Sequence, residues 1–384
     1  MYDILIIGGG INGAGIARDA AGRGFQTCLI EKNKIGSATS SWSTKLIHGG
    51  LRYLENFEFK LVRESLKERE IIKKIAPQII TEIPFLFPHS QKLRPIWQIR
   101  LGFFLYDRIG GKTSIPRSSL IDFNKQYKDL LVDKFDKGFK YYDLQVDDKK
   151  LTELNAYDAK KNGATIIEDD EVVSVERFKN HWQVLSKKNR VISSKILINA
   201  SGPWINHVLE NIIKVKSKKK IRLIKGSHLI TKKIFNEKCA LTLQNNDKRI
   251  IFVIPYKNNT SLIGTTEVEV KKPEDNNIEN NEIDYLIQSC NNYLKKPISH
   301  NDIISSYSGI RPLIEDFNSN ASKVTRDYTF DLNIDNGFAP VISIYGGKLT
   351  TYRKLAENIL NELSDFLPKI NNQNWTDSKI LPYI

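Results

Sequence analysis

The chain has 384 residues, 40% of them hydrophobic and 27% charged, and a formal net charge of +14. This length predicts two domains, and this composition is that of an ordinary globular protein, which excludes a disordered or fibrous chain. Cys28, Cys239 and Cys290 are widely spaced with no paired histidines, so neither a disulfide framework nor a metal site is expected, and no apolar run approaches the ~18 residues of a membrane span. Free thiols fit a reducing compartment. The positive charge leaves four readings: an anionic substrate or cofactor, an anionic membrane surface, nucleic acid, or a general drift toward Lys, Asn and Ile.

The first element carries the most information. Residues 2–31 read YDILIIGGGINGAGIARDAAGRGFQTCLIE. The pattern is a strand, a glycine turn, a helix, a second strand and an acid. Gly8 makes the tight turn, Gly10 admits a pyrophosphate close to the backbone, and Gly13 lets the helix pack on the strand. The helix N-terminus turns its unpaired N–H groups toward the phosphates. Glu31 follows at about the 20-residue spacing at which a ribose hydroxyl needs an acceptor. The apolar start has no basic segment before it, so it is a buried strand and not a signal peptide.

Residues 33–50 are a Ser-, Thr- and Gly-rich loop, and 54–76 have the spacing of a long surface helix. Residues 77–120 are proline-rich and irregular, apart from an amphipathic segment at 96–108. A helix follows at 151–162, then short strands through 164–199. IRLIKGSHLI (221–230), RIIFVIPY (249–256) and TSLIGTTEVEV (260–270) keep a period near two and predict an antiparallel sheet. Residues 271–282 read as an exposed loop and 283–295 as a helix. A strand, a glycine turn and a helix close the chain at 338–363. The nucleotide domain is therefore discontinuous, with an antiparallel sheet inserted. The expected FAD-binding domain comprises 1–76, 145–220 and 303–370, the substrate domain 77–144 and 221–302, and the tail 371–384.

The first turn alone does not separate NAD from FAD. Three segments favour FAD. ILINASG (196–202) is a strand ending in a small-residue turn. GGKLT (346–350) is a second glycine turn opening a helix, whose N–H groups suit the flavin edge where negative charge builds on reduction. ATSSWSTK (38–45) offers hydroxyls and a lysine soon after the ribose acid.

SSWSTKLIHGGLRYLE (40–55), INASGPW (198–204), YSGIRPL (307–313), TRDYT (325–329) and GGKLTTYRKLAE (346–357), with the three central strands, make the chain resemble the FAD-dependent, respiratory glycerol-3-phosphate dehydrogenases from residue 1 to about 384. The resemblance implies an α/β fold, with a glutathione-reductase-like FAD domain and a D-amino-acid-oxidase-like antiparallel substrate domain. It implies non-covalent FAD and oxidation of sn-glycerol 3-phosphate to dihydroxyacetone phosphate, with electrons passed to a membrane quinone. The implied cofactor cradle is Gly8, Gly10, Ile11, Asn12, Gly13, Glu31, Lys32, Thr39, Ser40, Ser41, Thr44, Lys45, Leu46, Val172, Ala200, Gly202, Gly347, Lys348, Leu349 and Thr350. The family continues into a helical C-terminal domain that these 384 residues do not include. A homodimer stays open.

The chemistry of a phosphorylated alcohol agrees with the basic residues. Planar guanidiniums bind a phosphomonoester bidentately. Arg311 and Arg326 are assigned to the phosphate, with Arg52 and Lys348 as supplements and Thr265 beside them. Oxidation at C2 needs a base for the hydroxyl proton, and His48, with an unperturbed pKa of about 6.5, suits that work. Tyr53 orients the hydroxyl. Arg311 belongs to the catalytic set but is a poor base, since a guanidinium does not readily release a proton. His228 and Lys225 are weaker candidates for the base.

Residues 95–111 mix Trp97, Phe103, Phe104 and Tyr106 with basic Arg100 and Arg108, and Arg94 lies just before them. Such a helix suits a membrane interface or packing on its own domain. The family sits peripherally on the inner, cytoplasmic face of the membrane. Competing readings are a flavin oxidase passing electrons to O₂, a related oxidoreductase acting on another hydroxy or amino acid, an FAD-dependent tRNA-modifying enzyme, and a nucleic-acid-binding protein using Lys214–Lys220. No nucleic-acid partner is expected.

Overall fold

A computed structural model describes residues 1–89, 95–314, 327–335, 337–369 and 374–383. Two sheets organise it. The first has eight strands and a parallel centre, in which Tyr2–Ile7 lies between Val191–Asn199 and Thr27–Ile30. Val341–Tyr345 and Thr165–Ile167 extend it on either side, again in parallel. Tyr2–Ile7 is buried at five of its six positions, as a strand covered on both faces must be. One face packs on Ala14, Ala17, Ala20 and Ala21 of helix Ile11–Arg23 and on helices Asp148–Lys161 and Tyr352–Glu362. The other face packs on Trp182, Val184 and Ile192 of an attached antiparallel hairpin.

The second sheet has ten strands, built around Ile221–Lys232, Ala240–Gln244, Ile250–Tyr256 and Thr260–Gly264. Its pairings are antiparallel except that of Ala240–Gln244 with Ile80–Pro88. Helix Asn280–Asn291 covers one face through Leu286 and Cys290. The other face carries Phe85, Tyr141 and Leu262 and meets helices Phe59–Ile75 and Ile96–Ile109.

Four expectations change. Strand Ile303–Ile314 pairs along its length with Ile221–Lys232, so 303–314 belong to the second sheet and the return to the first falls after them. The region 77–120 includes the nine-residue strand Ile80–Pro88. Its prolines lie in the antiparallel pairing to Lys137–Val146, Pro84 opposite Tyr142 and Pro88 opposite Gly138. The helix expected from 283 starts at Asn280, where Glu279 and Glu282 form a reciprocal capping box. The expected helix 54–76 divides into a 3₁₀ turn, Leu51–Asn56, and helix Phe59–Ile75.

Candidate active site

A cavity of about 590 Å³ runs between the two sheets. At one end stand Gly10, Ile11 and Asn12. Ala200, Gly202 and Gly346–Thr350 line its middle. At the other end are His48, Arg52, Tyr53, His228, Thr265 and Arg311. Thr39, Ser40, Thr44 and Leu46 join the wall from the loop after the second strand.

The first turn is set by backbone packing. Gly8 has φ +111°, and a Cβ there would lie 2.5 Å from the Ala200 carbonyl oxygen. A Cβ on Gly13 would lie 1.9 Å from the Gly8 oxygen, which no L side chain allows. The Glu31 carboxylate accepts from Gly9 N at 2.6 Å and from Asn33 N at 2.9 Å, so it braces the turn as well as ending the strand. Ser40 Oγ accepts from Ile11 N at 2.8 Å at the helix N-terminus. Asn12 Nδ2 donates to Gly346 O at 3.2 Å and joins the first glycine turn to the second. Gly346 and Gly347 both have positive φ, +74° and +101°. Two glycine turns, two helix N-termini and a continuous groove between them fit an extended dinucleotide such as FAD.

The far end gathers cations. Arg311 Nη2 donates to Thr266 O at 3.2 Å. Gly226 lies against it: a Cβ there would lie 2.5 Å from Arg311 Nη2 and 2.6 Å from Thr265 Oγ1, so the guanidinium would have to shift. Arg52 pairs with Glu267 at 4.0 Å. Lys348 Nζ lies 3.9 Å above the Tyr53 ring. His48 is held through its backbone by Thr350 Oγ1, which accepts from His48 N at 3.3 Å and donates to His48 O at 3.4 Å. These groups meet from segments separated by up to 302 residues.

His228 is buried, stacks on Tyr307 at 4.8 Å, and its Nε2 lies 2.9 Å from Thr44 Oγ1. Burial, and then the charges of Arg311 and Lys45, push its pKa down to about 3. It is neutral at neutral pH and holds the loop after the second strand in place at Thr44, with Tyr307 donating to Ser43 O at 2.7 Å. Lys225 is turned away from the cavity: its ammonium is buried on Glu282 at 2.9 Å.

Several expected cofactor contacts face elsewhere. Lys45 Nζ is buried on Asp148 at 2.7 Å, and Ser41 donates to Gly36 O. Both stabilise the loop from behind, because a buried ammonium needs its counter-ion. Val172 is buried in the packing beneath the first sheet with Leu5 and Cys28. Lys32 Nζ lies 3.8 Å above the Trp204 ring, in a separate polar cleft. Arg326 lies outside the described residues. The sequence reading missed Glu267, Phe252 and Asp143 in the cavity wall. A buried acid such as Asp143, on an otherwise alternating strand, has no local pattern that marks it. Among the described residues no cluster of His, Cys, Asp and Glu could hold a metal ion, and no helix is long and apolar enough to cross a membrane.

Comparison with known proteins places this geometry. The FAD dependent oxidoreductase (DAO) family model matches residues 3–353. D-erythritol 1-phosphate dehydrogenase of Brucella abortus is 44% identical over 99% of this chain and 77% of its own length. Aerobic glycerol-3-phosphate dehydrogenase of Escherichia coli is also 44% identical, over 99% and 76%. A solved glycerol-3-phosphate dehydrogenase of Bacillus halodurans, complexed with FAD, superposes with a TM-score of 0.76 at 28% identity, covering 98% of this chain and 67% of that one. The glycine-turn cradle and these matches agree, and the chain belongs to the FAD dependent oxidoreductases.

Proposed function

We propose that the protein oxidises sn-glycerol 3-phosphate to dihydroxyacetone phosphate. The observation that carries this reading is the cluster of Arg52, Arg311 and Lys348 around His48 and Tyr53, at the far end of a dinucleotide groove. FAD, when bound, supplies the hydride acceptor. Arg311 and Lys348, with Arg326 and Arg52, neutralise the phosphate and fix the depth at which the alcohol sits. Thr265 stands beside Arg311 and orients the same group. Tyr53 directs the C2 hydroxyl, and His48 takes its proton as the hydride leaves. Gly8, Gly10, Gly13, Glu31, Asn12, Ser40 and the 347–350 turn hold the cofactor from either end.

Anaerobic addition of glycerol 3-phosphate to the FAD-loaded protein tests the reading. Bleaching of the flavin within the turnover time supports it, and an unchanged spectrum rejects it. D-Erythritol 1-phosphate is the second substrate to test, because a relative named for it is as similar as those named for glycerol 3-phosphate. A kcat/KM higher for the four-carbon ester would move the assignment to it.

The electron acceptor in this reading is a membrane quinone, reached from the cytoplasmic face. Support comes from helix Ile96–Ile109. Trp97 is 67% exposed, and Leu101 and Phe104 are each 50% exposed along one face. Phe57 and Phe59 are exposed as well, and both line the cavity together with Leu101. This apolar rim and the net charge of +14 suit an anionic lipid surface. Sedimentation with phosphatidylglycerol vesicles tests it, and a triple Ser variant at Trp97, Leu101 and Phe104 that still co-sediments like the parent rejects it.

A further inference from the structure

We propose that Tyr106, Asp143 and Arg69 are positioning residues for His48. The inference rests on the reading of His48 as a group that acts on the substrate.

The segment after His48 is Gly49–Gly50, which has no side chain by which the fold could hold it, and glycine loses the most backbone freedom on ordering. Gly50 has φ +76°. The segment is held instead through its peptide groups. Gly49 N donates to Tyr106 Oη at 2.8 Å. Thr350 Oγ1 donates to His48 O from the other side. The peptide unit joining His48 to Gly49 is thus gripped at its oxygen by the second glycine turn and at its nitrogen by Tyr106. Glycine is required at 49 because a Cβ there would lie 2.4 Å from Leu66 Cδ2 and 2.8 Å from Tyr106 Cε2.

Tyr106 is held in turn. Its hydroxyl donates to Asp143, with oxygens at 2.8 and 3.0 Å, and Arg69 Nη1 donates to Asp143 Oδ1 at 2.7 Å. Arg69 Nη1 also reaches Tyr142 O at 3.3 Å. Tyr106, Asp143 and Arg69 are 3%, 3% and 5% exposed, among Leu54, Leu66, Phe103 and Tyr141. Burying a charged pair in such surroundings is unfavourable against an apolar replacement. What the pair brings here is direction: it aims the phenol at Gly49. Burial and the neighbouring Asp143 raise the Tyr106 pKa, so the phenol stays protonated and its hydroxyl serves both as donor to Asp143 and as acceptor from Gly49. Three elements distant in sequence, helices Phe59–Ile75 and Ile96–Ile109 and strand Lys137–Val146, converge on one peptide group.

The test uses the FAD-loaded full chain and the substitutions Tyr106→Phe, His48→Asn and both together. Two readouts are taken: hydrogen exchange of the Gly49 amide, and the rate of anaerobic flavin reduction by glycerol 3-phosphate. Tyr106→Phe is expected to speed exchange at Gly49 by about tenfold or more while distant amides are unchanged. It is expected to slow reduction about tenfold at saturating substrate, with KM within about twofold, and to cause no further loss on the His48→Asn background. Unchanged exchange at Gly49 overturns the proposal. So does the same tenfold loss on both backgrounds, which would mean that Tyr106 acts independently of His48. A His48→Asn variant as fast as the parent rejects the prior reading of His48, and the proposal falls with it. That outcome is recognised because His48→Asn itself is then silent. Should Tyr106→Phe fail to retain FAD, Asp143→Asn keeps an acceptor for the phenol and removes the charge. It is expected to show a two- to threefold loss that disappears on the His48→Asn background, and full additivity overturns the proposal.

Discussion

Gly8, Gly10 and Gly13 lie within six residues of one another at one end of the cavity, where Gly8 and Gly13 are fixed by contact of backbone with backbone and Gly10 faces Ser40 Oγ. The opposite end draws His48, Arg52, Thr265, Arg311 and Lys348 from separate segments, with part-buried hydrogen bonds to His48 and Arg311, an ion pair to Arg52 and a ring contact to Lys348. The first kind of site has no tolerance, since a methyl group at Gly13 meets a carbonyl oxygen that cannot move without the strand. The second kind is adjustable: the same scaffold can shift a guanidinium or an imidazole by altering residues one layer behind. Relatives named for two different phosphorylated polyols stand at equal overall identity to this chain.

Four substitutions would break or sharpen that contrast. Gly13→Ala should abolish flavin retention, giving a colourless protein by absorbance per chain. A yellow Gly13→Ala protein with parental FAD content would show that the first turn is not held by backbone contact. Arg353→Met should come next. Arg353 is buried on Glu68 at 2.5 Å and on Glu357 at 2.8 Å, fixing the helix that follows the second glycine turn to helix Phe59–Ile75. Its loss leaves the Glu68 carboxylate buried without its partner, while Glu357 keeps Lys354 at 2.8 Å, and should lower stability by about 3–5 kcal/mol in urea unfolding. A loss below about 1 kcal/mol would mean that apolar packing alone secures that helix.

Arg311→Met should raise KM for glycerol 3-phosphate by about 10- to 100-fold with FAD content unchanged, the scale of a lost charge-assisted bond. Flavin loss in place of a KM effect would move Arg311 from the adjustable end to the cofactor cradle. The smallest effect is on pH dependence. His228 is held neutral, its pKa pushed down to about 3, whereas in the unfolded chain it protonates near the usual ~6.5. The unfolded state therefore takes up the proton first. The histidine contributes stability above about pH 6.5 that is lost progressively as pH falls toward 3. His228→Gln should flatten the fall of unfolding free energy between pH 6.5 and 4. The buried carboxyls of Glu64, Glu68 and Asp143, raised chiefly by burial, act in the opposite direction, so the measurement is the difference in slope between variant and parent. Equal slopes would show that His228 is hydrated in solution.

Much of the architecture was legible because it is periodic or glycine-marked. The run Ile4–Ile7 and the alternation in Ile250–Tyr256 announce a doubly covered and a half-covered strand, and the glycines at 8, 10, 13, 346 and 347 announce two turns facing one ligand. Strand Ile80–Pro88 was not legible, because its two prolines and the absence of clean alternation hide it and only its pairing with Lys137–Val146 makes it a strand. Lys45 shows the opposite failure. A lysine in a hydroxyl-rich loop after a ribose acid looks like a cofactor contact, yet it is committed to Asp148, more than a hundred residues away.

The sequence by itself determined that a dinucleotide lies across the end of a parallel sheet, since a tight turn, a close approach and a helix start are local properties of Gly8–Gly13. It also determined that basic residues of a kind suited to a phosphate are present. Only the tertiary structure decided which of them share a cavity, and that His48 is held through its peptide groups by Thr350 and Tyr106. The reason is physical: a turn is specified by dihedral angles and hard contacts among neighbours in the chain, whereas the aim of a side chain in a pocket is specified by buried hydrogen bonds whose partners are neighbours only in space.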